Sequence, residues 1–150
     1  MTWIERIRQW FAEEDKNSDM VIDEKWEIQE INGDPNRFAV SHVNLPFNIG
    51  IYVNSDTAHI NVYSNLETAD WDVRDQRDIY RDLLRQNKRD LFVKYYLTGE
   101  NDTVALRTEI DLEYLNKTEF NDALQAVIVS SIWLLRKMGL LEEEPCSPDK

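Results

Sequence analysis

The sequence predicts an α+β domain, with helices packed on one face of an antiparallel sheet of five to six strands. Three segments have the apolar spacing of amphipathic helices, and six shorter segments alternate apolar with polar residues, as half-buried strands do. Their order along the chain is α-β-β-β-β-α-β-β-α. Helices segregated on one face of an antiparallel sheet form an α+β layer arrangement.

The first helix is predicted over residues 3–14. Thr2 and Glu5 have the spacing of a capping box, in which each side chain bonds the other residue's backbone N–H. The residues expected on its buried face are Trp3, Ile7, Trp10 and Phe11.

Four strands are predicted before the middle helix, near residues 24–31, 37–43, 48–54 and 57–63. The third and fourth should pair across the turn Asn54-Ser55-Asp56. Alternation predicts a buried set on these strands that includes Trp26, Ile28, Phe38, Val40, Ile49, Ile51, Val53, Ala58, Ile60 and Val62.

The middle helix is predicted over 69–88, and a hairpin of two strands over 91–97 and 103–111 follows it. The helix should direct Val73, Tyr80, Leu83 and Leu84 inward. The inward residues of the hairpin are predicted to be Leu91, Val93, Tyr95, Leu97, Val104, Leu106 and Ile110.

The last helix is predicted over 117–138, with Asn116 and Glu119 capping its start and Gly139 ending it. One apolar stripe should lie on the sheet: Phe120, Leu124, Val127, Leu134, Leu135 and Met138. A second stripe, Ala126, Val129 and Trp133, points nearly the opposite way and should also be covered. We expect the first helix to cover Ala126, and a second copy of the chain or another protein to meet Trp133.

The composition predicts one cytoplasmic domain over residues 1–140 and a disordered acidic tail over 141–150. A formal net charge of −12 repels nucleic acid and anionic lipid. The start of the chain lacks a signal-peptide pattern, and the uncharged stretch 123–135 is too short to span a membrane. Cys146 is the one cysteine, which excludes an intrachain disulfide.

No cofactor, metal or catalytic site is predicted. The four glycines are too scattered for a phosphate loop, and zinc would have only His42, His59 and Cys146 to draw on. The acidic run Asp15, Asn17, Asp19 and Asp23 resembles a calcium loop. Met20 and Trp26 occupy the positions that need glycine and a bidentate glutamate, so we interpret this run as a solvated linker.

Partner binding is the function that the pattern favours. Strand parity places Tyr52, Tyr63, Phe92 and Tyr96 on the open sheet face, where clustered aromatic residues would form a binding site for a protein or peptide. Parity also places His59, Arg107 and Glu109 there, which leaves a small-molecule-binding or hydrolytic site as the alternative. A basic stripe on the middle helix is either a solvated face or a docking surface for an acidic peptide: Arg74, Arg77, Arg81, Arg85 and Lys88.

Over residues 2–140, this order of elements resembles the type III secretion chaperone-like fold, which includes YbjN-like and related uncharacterised prokaryotic domains. The patterns that carry the resemblance are 3–11, 91–110 and 120–138. It implies a small acidic protein, often dimeric, that binds other polypeptides or has an unknown role. Four strands precede the middle helix where the chaperones typically have three, which favours the uncharacterised branch. We therefore expect a non-enzymatic protein-binding or regulatory module. The resemblance leaves both a monomer and a homodimer open.

Overall fold

The computed structural model describes residues 1–13, 20–55, 59–66, 73–89, 92–98 and 103–137. These residues form three α-helices and six strands in the predicted order, and the α+β class is confirmed. The elements are α1 (Trp3–Ala12), β1 (Glu27–Glu30), β2 (Arg37–Ser41), β3 (Ile49–Asn54), β4 (His59–Leu66), α2 (Val73–Arg89), β5 (Lys94–Thr98), β6 (Thr103–Asp111) and α3 (Lys117–Lys137).

All strands pair antiparallel in one sheet, in the order β1-β2-β3-β4-β6-β5. The predicted hairpin of β5 and β6 is confirmed. β6 is inserted between its hairpin partner and β4, with which it aligns from His59↔Asp111 to Leu66↔Val104. This insertion leaves β5 as one edge of the sheet and β1 as the other.

The helices α1 and α3 cover one face of the sheet, and the core lies between them and the strands. The ring of Phe11 in α1 lies 6.0 Å from Phe38 in β2 and 5.7 Å from Phe120 in α3. Farther along α3, the hydroxyls of Ser64 and Ser131 are 2.6 Å apart, joining β4 to the helix. Fully buried aliphatic side chains fill this layer: Ile7, Val40, Ile49, Ile51, Val62, Leu106, Leu124, Val127 and Leu134.

Both predicted helix starts are confirmed. The Thr2 backbone donates to Glu5 Oε2 at 2.9 Å, while the Glu5 backbone donates to Thr2 Oγ1 at 3.3 Å. At α3, Asn116 Oδ1 accepts from the Glu119 backbone at 2.8 Å. The predicted end of α3, at Met138 and Gly139, lies outside the described residues.

A partly exposed ion cluster around the buried Asp23 fixes the start of α3 to the segment after α1. Lys117 Nζ lies 2.7 Å from Glu13 Oε2 and 3.0 Å from Oδ1 of the buried Asp23. The hydrogen bond with Glu13, and the weaker influence of Asp23, raise the pKa of Lys117. Nearby, Asn121 Oδ1 accepts from the Ile22 backbone at 3.0 Å, so that segment is anchored at a second point.

Several sequence predictions are wrong in detail, among them the start of β5, which lies at Lys94 rather than near residue 91. β1 begins at Glu27 rather than near residue 24, and β4 runs on to Leu66 rather than ending near 63. Leu84 does not point inward: it is 71% exposed, and the buried α2 positions are Ile79 and Leu83. The buried face of α2 contains Ile79 and Leu83 rather than the predicted pair of Leu83 and Leu84. Because adjacent residues of a helix point about 100° apart, Leu84 lies outside the face that contains Leu83.

Several other predictions fall outside the described residues or their described side chains. They include Leu91, Ala58, the side chains of His59, Ile60 and Val73, the calcium-like run 15–19, and the tail 141–150. The boundary of the predicted domain at residue 140 stays a prediction. Among the helices that the structure describes, none combines the length and hydropathy needed to cross a bilayer.

Candidate partner-binding surfaces

The face of the sheet opposite α1 and α3 brings together residues from five strands. Cross-strand register aligns Tyr52 with Arg37 on β2, and Tyr63 with Arg107 on β6. Tyr96 on β5 pairs with the residue two positions before Arg107. Register and parity therefore confirm that the predicted tyrosines share one face, and add two arginines to them.

The two arginines lie on the tyrosine rings. The guanidinium carbon of Arg37 is 4.7 Å from the ring centroid of Tyr52 and 5.8 Å from that of Tyr63. The guanidinium carbon of Arg107 is 5.0 Å from the ring of Tyr96, and Arg107 also lies 3.4 Å from Glu109. Such stacking orders long side chains. We call Arg37, Tyr52, Tyr63, Tyr96 and Arg107 the tyrosine–arginine surface.

A glycine sets the position of the central tyrosine. Gly50 on β3 lies directly opposite Tyr63 on β4, and a Cβ at Gly50 would overlap the Tyr63 ring. The ring therefore lies flat across the β3 backbone, toward Arg37. A glycine in a strand interior costs stability, and an aromatic ring packed over it compensates for the missing side chain.

Tyr96 is partly buried, as are Arg37, Tyr52 and Tyr63. Desolvation raises the pKa of its phenol, the Arg107 cation lowers that pKa in part, and Tyr63 and Glu109 add to the increase. The phenol is therefore held as a neutral hydrogen-bonding group at physiological pH. A neutral Tyr beside a stacked Arg offers both an apolar ring and polar atoms to a partner.

Arg37 was not among the residues that the sequence analysis singled out, although a signal for it was present. Alternation in β2 buries Phe38 and Val40, so the same parity directs Arg37 to the open face. Phe92 was predicted for this face. It lies before the start of β5 and is 43% exposed, so it is accessible without being part of the strand.

The second predicted surface, on α3, is partly covered by the chain itself. The Trp133 ring lies 6.0 Å from the Tyr95 ring of β5, and Ala126 and Trp133 are half-buried against the core. Val129 is 58% exposed. A partner is therefore not required to explain the position of the indole, and partner binding by Ala126, Val129 and Trp133 stays a prediction.

A third surface becomes visible only in the structure. A cavity of about 250 Å³ lies between α2 and the edge strand β5. Its apolar rim includes Leu84 and Leu97, which are 71% and 48% exposed. Leu97 has the inward parity that was predicted, but β5 is the edge strand and leaves it uncovered.

One geometric observation is consistent with the alternative prediction, a small-molecule-binding or hydrolytic site. His59 pairs with Asp111 in the backbone register, two positions from Glu109, so the three predicted residues do lie on adjacent strands. The His59 side chain itself lies outside what the structure describes. Over the described part of the chain, no cluster of three or more His, Cys, Asp or Glu side chains could hold a metal.

The other histidine is held in a local contact. His42 Nε2 lies 3.0 Å from Glu24, and its Nδ1 accepts from the Asn44 backbone at 3.1 Å. The ring also packs edge-on against Trp26, with centroids 5.1 Å apart. Because both nitrogens have partners, this arrangement secures the segment that follows β2.

Three solved structures share this fold. YbjN from E. coli is 14% identical with a TM-score of 0.60, and the match covers 88% of this chain and 92% of that one. A chain of the ExsC–ExsE complex is 11% identical with a TM-score of 0.60, covering 92% and 96%. A chain of the HopA1–SchA chaperone–effector complex is 12% identical with a TM-score of 0.54, covering 73% and 80%. The predicted chaperone-like and YbjN-like fold is confirmed.

Curated protein sequences contain no match to this chain. A family profile, in contrast, matches residues 6–138, which is most of the chain. The chain therefore belongs to the family described as Domain of unknown function (DUF8183).

Proposed function

We propose that this chain is a non-enzymatic protein-binding module that engages its partner through the tyrosine–arginine surface. The observation that carries the proposal is the gathering of Tyr52, Tyr63 and Tyr96 with two stacked arginines on the sheet face opposite α1 and α3. Tyrosine and arginine are enriched among the residues that dominate protein interfaces. Stacking also orders the arginines before binding, which reduces the entropy lost when a partner docks.

The similar solved structures support a protein partner. Two of them are complexes between two proteins, one being a chaperone with its effector. Because their sequence identity to this chain is low, these structures support the fold but do not indicate which residues bind. The support for the tyrosine–arginine surface therefore comes from this chain alone. The acidic total charge disfavours nucleic acid, and we place the protein in the cytoplasm.

Affinity capture from native extract tests the surface. The double variant Arg37→Ala/Tyr52→Ala should lose proteins that the wild type captures, because it removes one arginine and the ring on which it stacks from the surface. Arg6→Ala/Tyr114→Ala is the matched control: Arg6 stacks on Trp3 at 4.5 Å, and Tyr114 is 68% exposed away from the sheet. Circular dichroism checks that both variants fold.

The result has two readings. Proteins retained by the control and lost by the surface variant support the proposal. If both variants capture the same proteins as the wild type, the tyrosine–arginine surface is not the binding site.

We also propose that the outer side of α3, with Ala126, Val129 and Trp133, forms a homodimer contact. Val129 is the most exposed of the three, so Val129→Glu changes the surface without opening the core. Sedimentation velocity should show a dimer for the wild type that this variant weakens. A wild type that sediments as a monomer over the whole concentration range contradicts the homodimer.

A further inference from the structure

The cavity between α2 and β5 has the features of a docking groove for side chains. It is lined by Tyr80, Leu83, Leu84, Asn87, Tyr95, Tyr96 and Leu97. Its volume of about 250 Å³ lies below the roughly 300–1,000 Å³ of typical small-molecule sites. Leu84 and Leu97 are exposed at the same groove, and burying their side chains against a partner would be favourable. A few apolar side chains of a partner would therefore fit it better than a cofactor would.

The edge of β5 beside this groove is closed to an added strand at its centre. The Asn87 side chain donates to the Tyr95 carbonyl at 2.9 Å and accepts from the Tyr95 backbone N–H at 2.7 Å. The amide thus takes the position that a neighbouring strand would occupy, which is one way that proteins protect sheet edges. A partner therefore reaches the groove through its side chains, as a helix in a groove does, and not by strand addition.

Basic residues line the outer rim of the groove. One exposed stripe of α2 contains residues spaced by four, three and four positions: Arg77, Arg81, Leu84 and Lys88. Arg81 is partly neutralised by Asp78 at 2.5 Å. Asp82 lies toward α3, where it pairs with Lys137 at 3.4 Å. A positive rim beside an apolar groove stands out on a chain whose net charge is −12.

We propose that this groove binds an amphipathic helix of another protein, with apolar residues entering between Leu84 and Leu97 and acidic residues facing Arg77 and Lys88. Charge complementarity selects this occupant over a second copy of the chain. A two-fold contact centred on the groove would place one basic rim against the other, and like charges oppose such docking. The inference rests on the proposed protein-binding function but uses a second surface, which shares only Tyr96 with the tyrosine–arginine surface.

Synthetic peptides of opposite charge test the inference. The probe is a fluorescent amphipathic peptide with leucines at helical spacing and glutamates on its flanks, titrated with the full chain and followed by anisotropy. A second peptide replaces every glutamate with lysine, and a third replaces every leucine with serine. The acidic leucine peptide should bind at least about tenfold more tightly than either of the others.

The sign of the charge effect is the decisive readout. The net charge of −12 attracts the lysine peptide to the protein as a whole, so tighter binding of the acidic peptide requires a local basic site. Leu84→Asp should weaken the acidic peptide about tenfold, since it places a carboxylate at the groove. Val43→Asp, at a valine that is 93% exposed in the segment after β2, is the matched control and should leave binding unchanged.

Three results would overturn the inference: equal or tighter binding of the lysine peptide, equal losses in Leu84→Asp and Val43→Asp, or a wild-type dimer that Leu84→Asp dissociates. The affinity capture described above uses the other surface. Loss of capture in Arg37→Ala/Tyr52→Ala would support the proposed function even if the peptides failed to bind. Peptide binding would support the groove even if that capture were unchanged.

Discussion

The two faces of the sheet are built from the same strands but serve different purposes. On β3, Ile51 is fully buried beneath the helices while its neighbour Tyr52 lies on the open face. On β4, Val62 and Tyr63 divide in the same way. The inner face stabilises the fold through buried apolar area, whereas the outer face presents aromatic rings and charge at little cost to the core. Substitutions on the two faces should therefore separate stability from binding.

The largest effect is expected on the inner face. Leu124 lies on the buried side of α3, so Leu124→Ala removes apolar contacts and leaves a cavity. We expect the free energy of unfolding to fall by about 2–5 kcal/mol in chemical denaturation. Val43→Ala, at a valine that is 93% exposed in the segment after β2, should change it by no more than about 0.5 kcal/mol. Equal losses would mean that the cost of Leu124→Ala does not come from a cavity in the core.

An intermediate effect is expected where the outer face meets the backbone. Gly50→Ala places a methyl group inside the Tyr63 ring, so the ring must leave its position or the strands must shift. The overlapping atoms are the phenol end of a side chain on the open face, which can move aside, so the cost should be about 1 kcal/mol of unfolding free energy, the lower end of overpacking costs. The measurement is chemical denaturation of the single and double variants.

The control for Gly50→Ala is the same substitution in the Tyr63→Ala background. Without the ring, the added methyl meets no obstacle, so the cost should largely disappear and the double-mutant cycle should show coupling. A cost that persists in the absence of Tyr63 would locate the strain elsewhere in β3.

The inner face could be predicted from sequence because burial has a period. Ile49, Ile51 and Val53 alternate strictly, and all three are buried as expected. The helix starts at Thr2 and Asn116 could be predicted equally well, since capping depends on residues close in sequence. Local sequence rules do not decide which of Leu83 and Leu84 is buried. The two residues point about 100° apart around the helix, and in the structure Leu83 is buried while Leu84 is exposed.

The outer surface was only half predictable, because its assembly depends on strand order. Parity directs Tyr63 and Tyr96 to the same face, but no local signal says that β6 lies between their strands. That insertion brings Arg107 between them and leaves Leu97 uncovered on the edge strand. The basic rim on α2 was visible as a stripe, whereas its neighbouring groove required the position of β5.

The smallest effect, and the most direct probe of the outer face, concerns the ionisation of Tyr96. Burial raises the pKa of its phenol above the ordinary value of 10.0. Alkaline titration followed by phenolate absorbance should therefore show a component above pH 10.0 in the wild type that is missing in Tyr96→Phe. Because the folded-state pKa is raised, the associated stability is complete below pH 10.0 and is lost as the pH rises through the folded-state value. The Arg107 cation lowers this pKa in part, so Arg107→Gln should move the component still higher. If the component titrates at or below 10.0, or does not respond to Arg107→Gln, then Tyr96 is solvated and the two side chains are not stacked in solution.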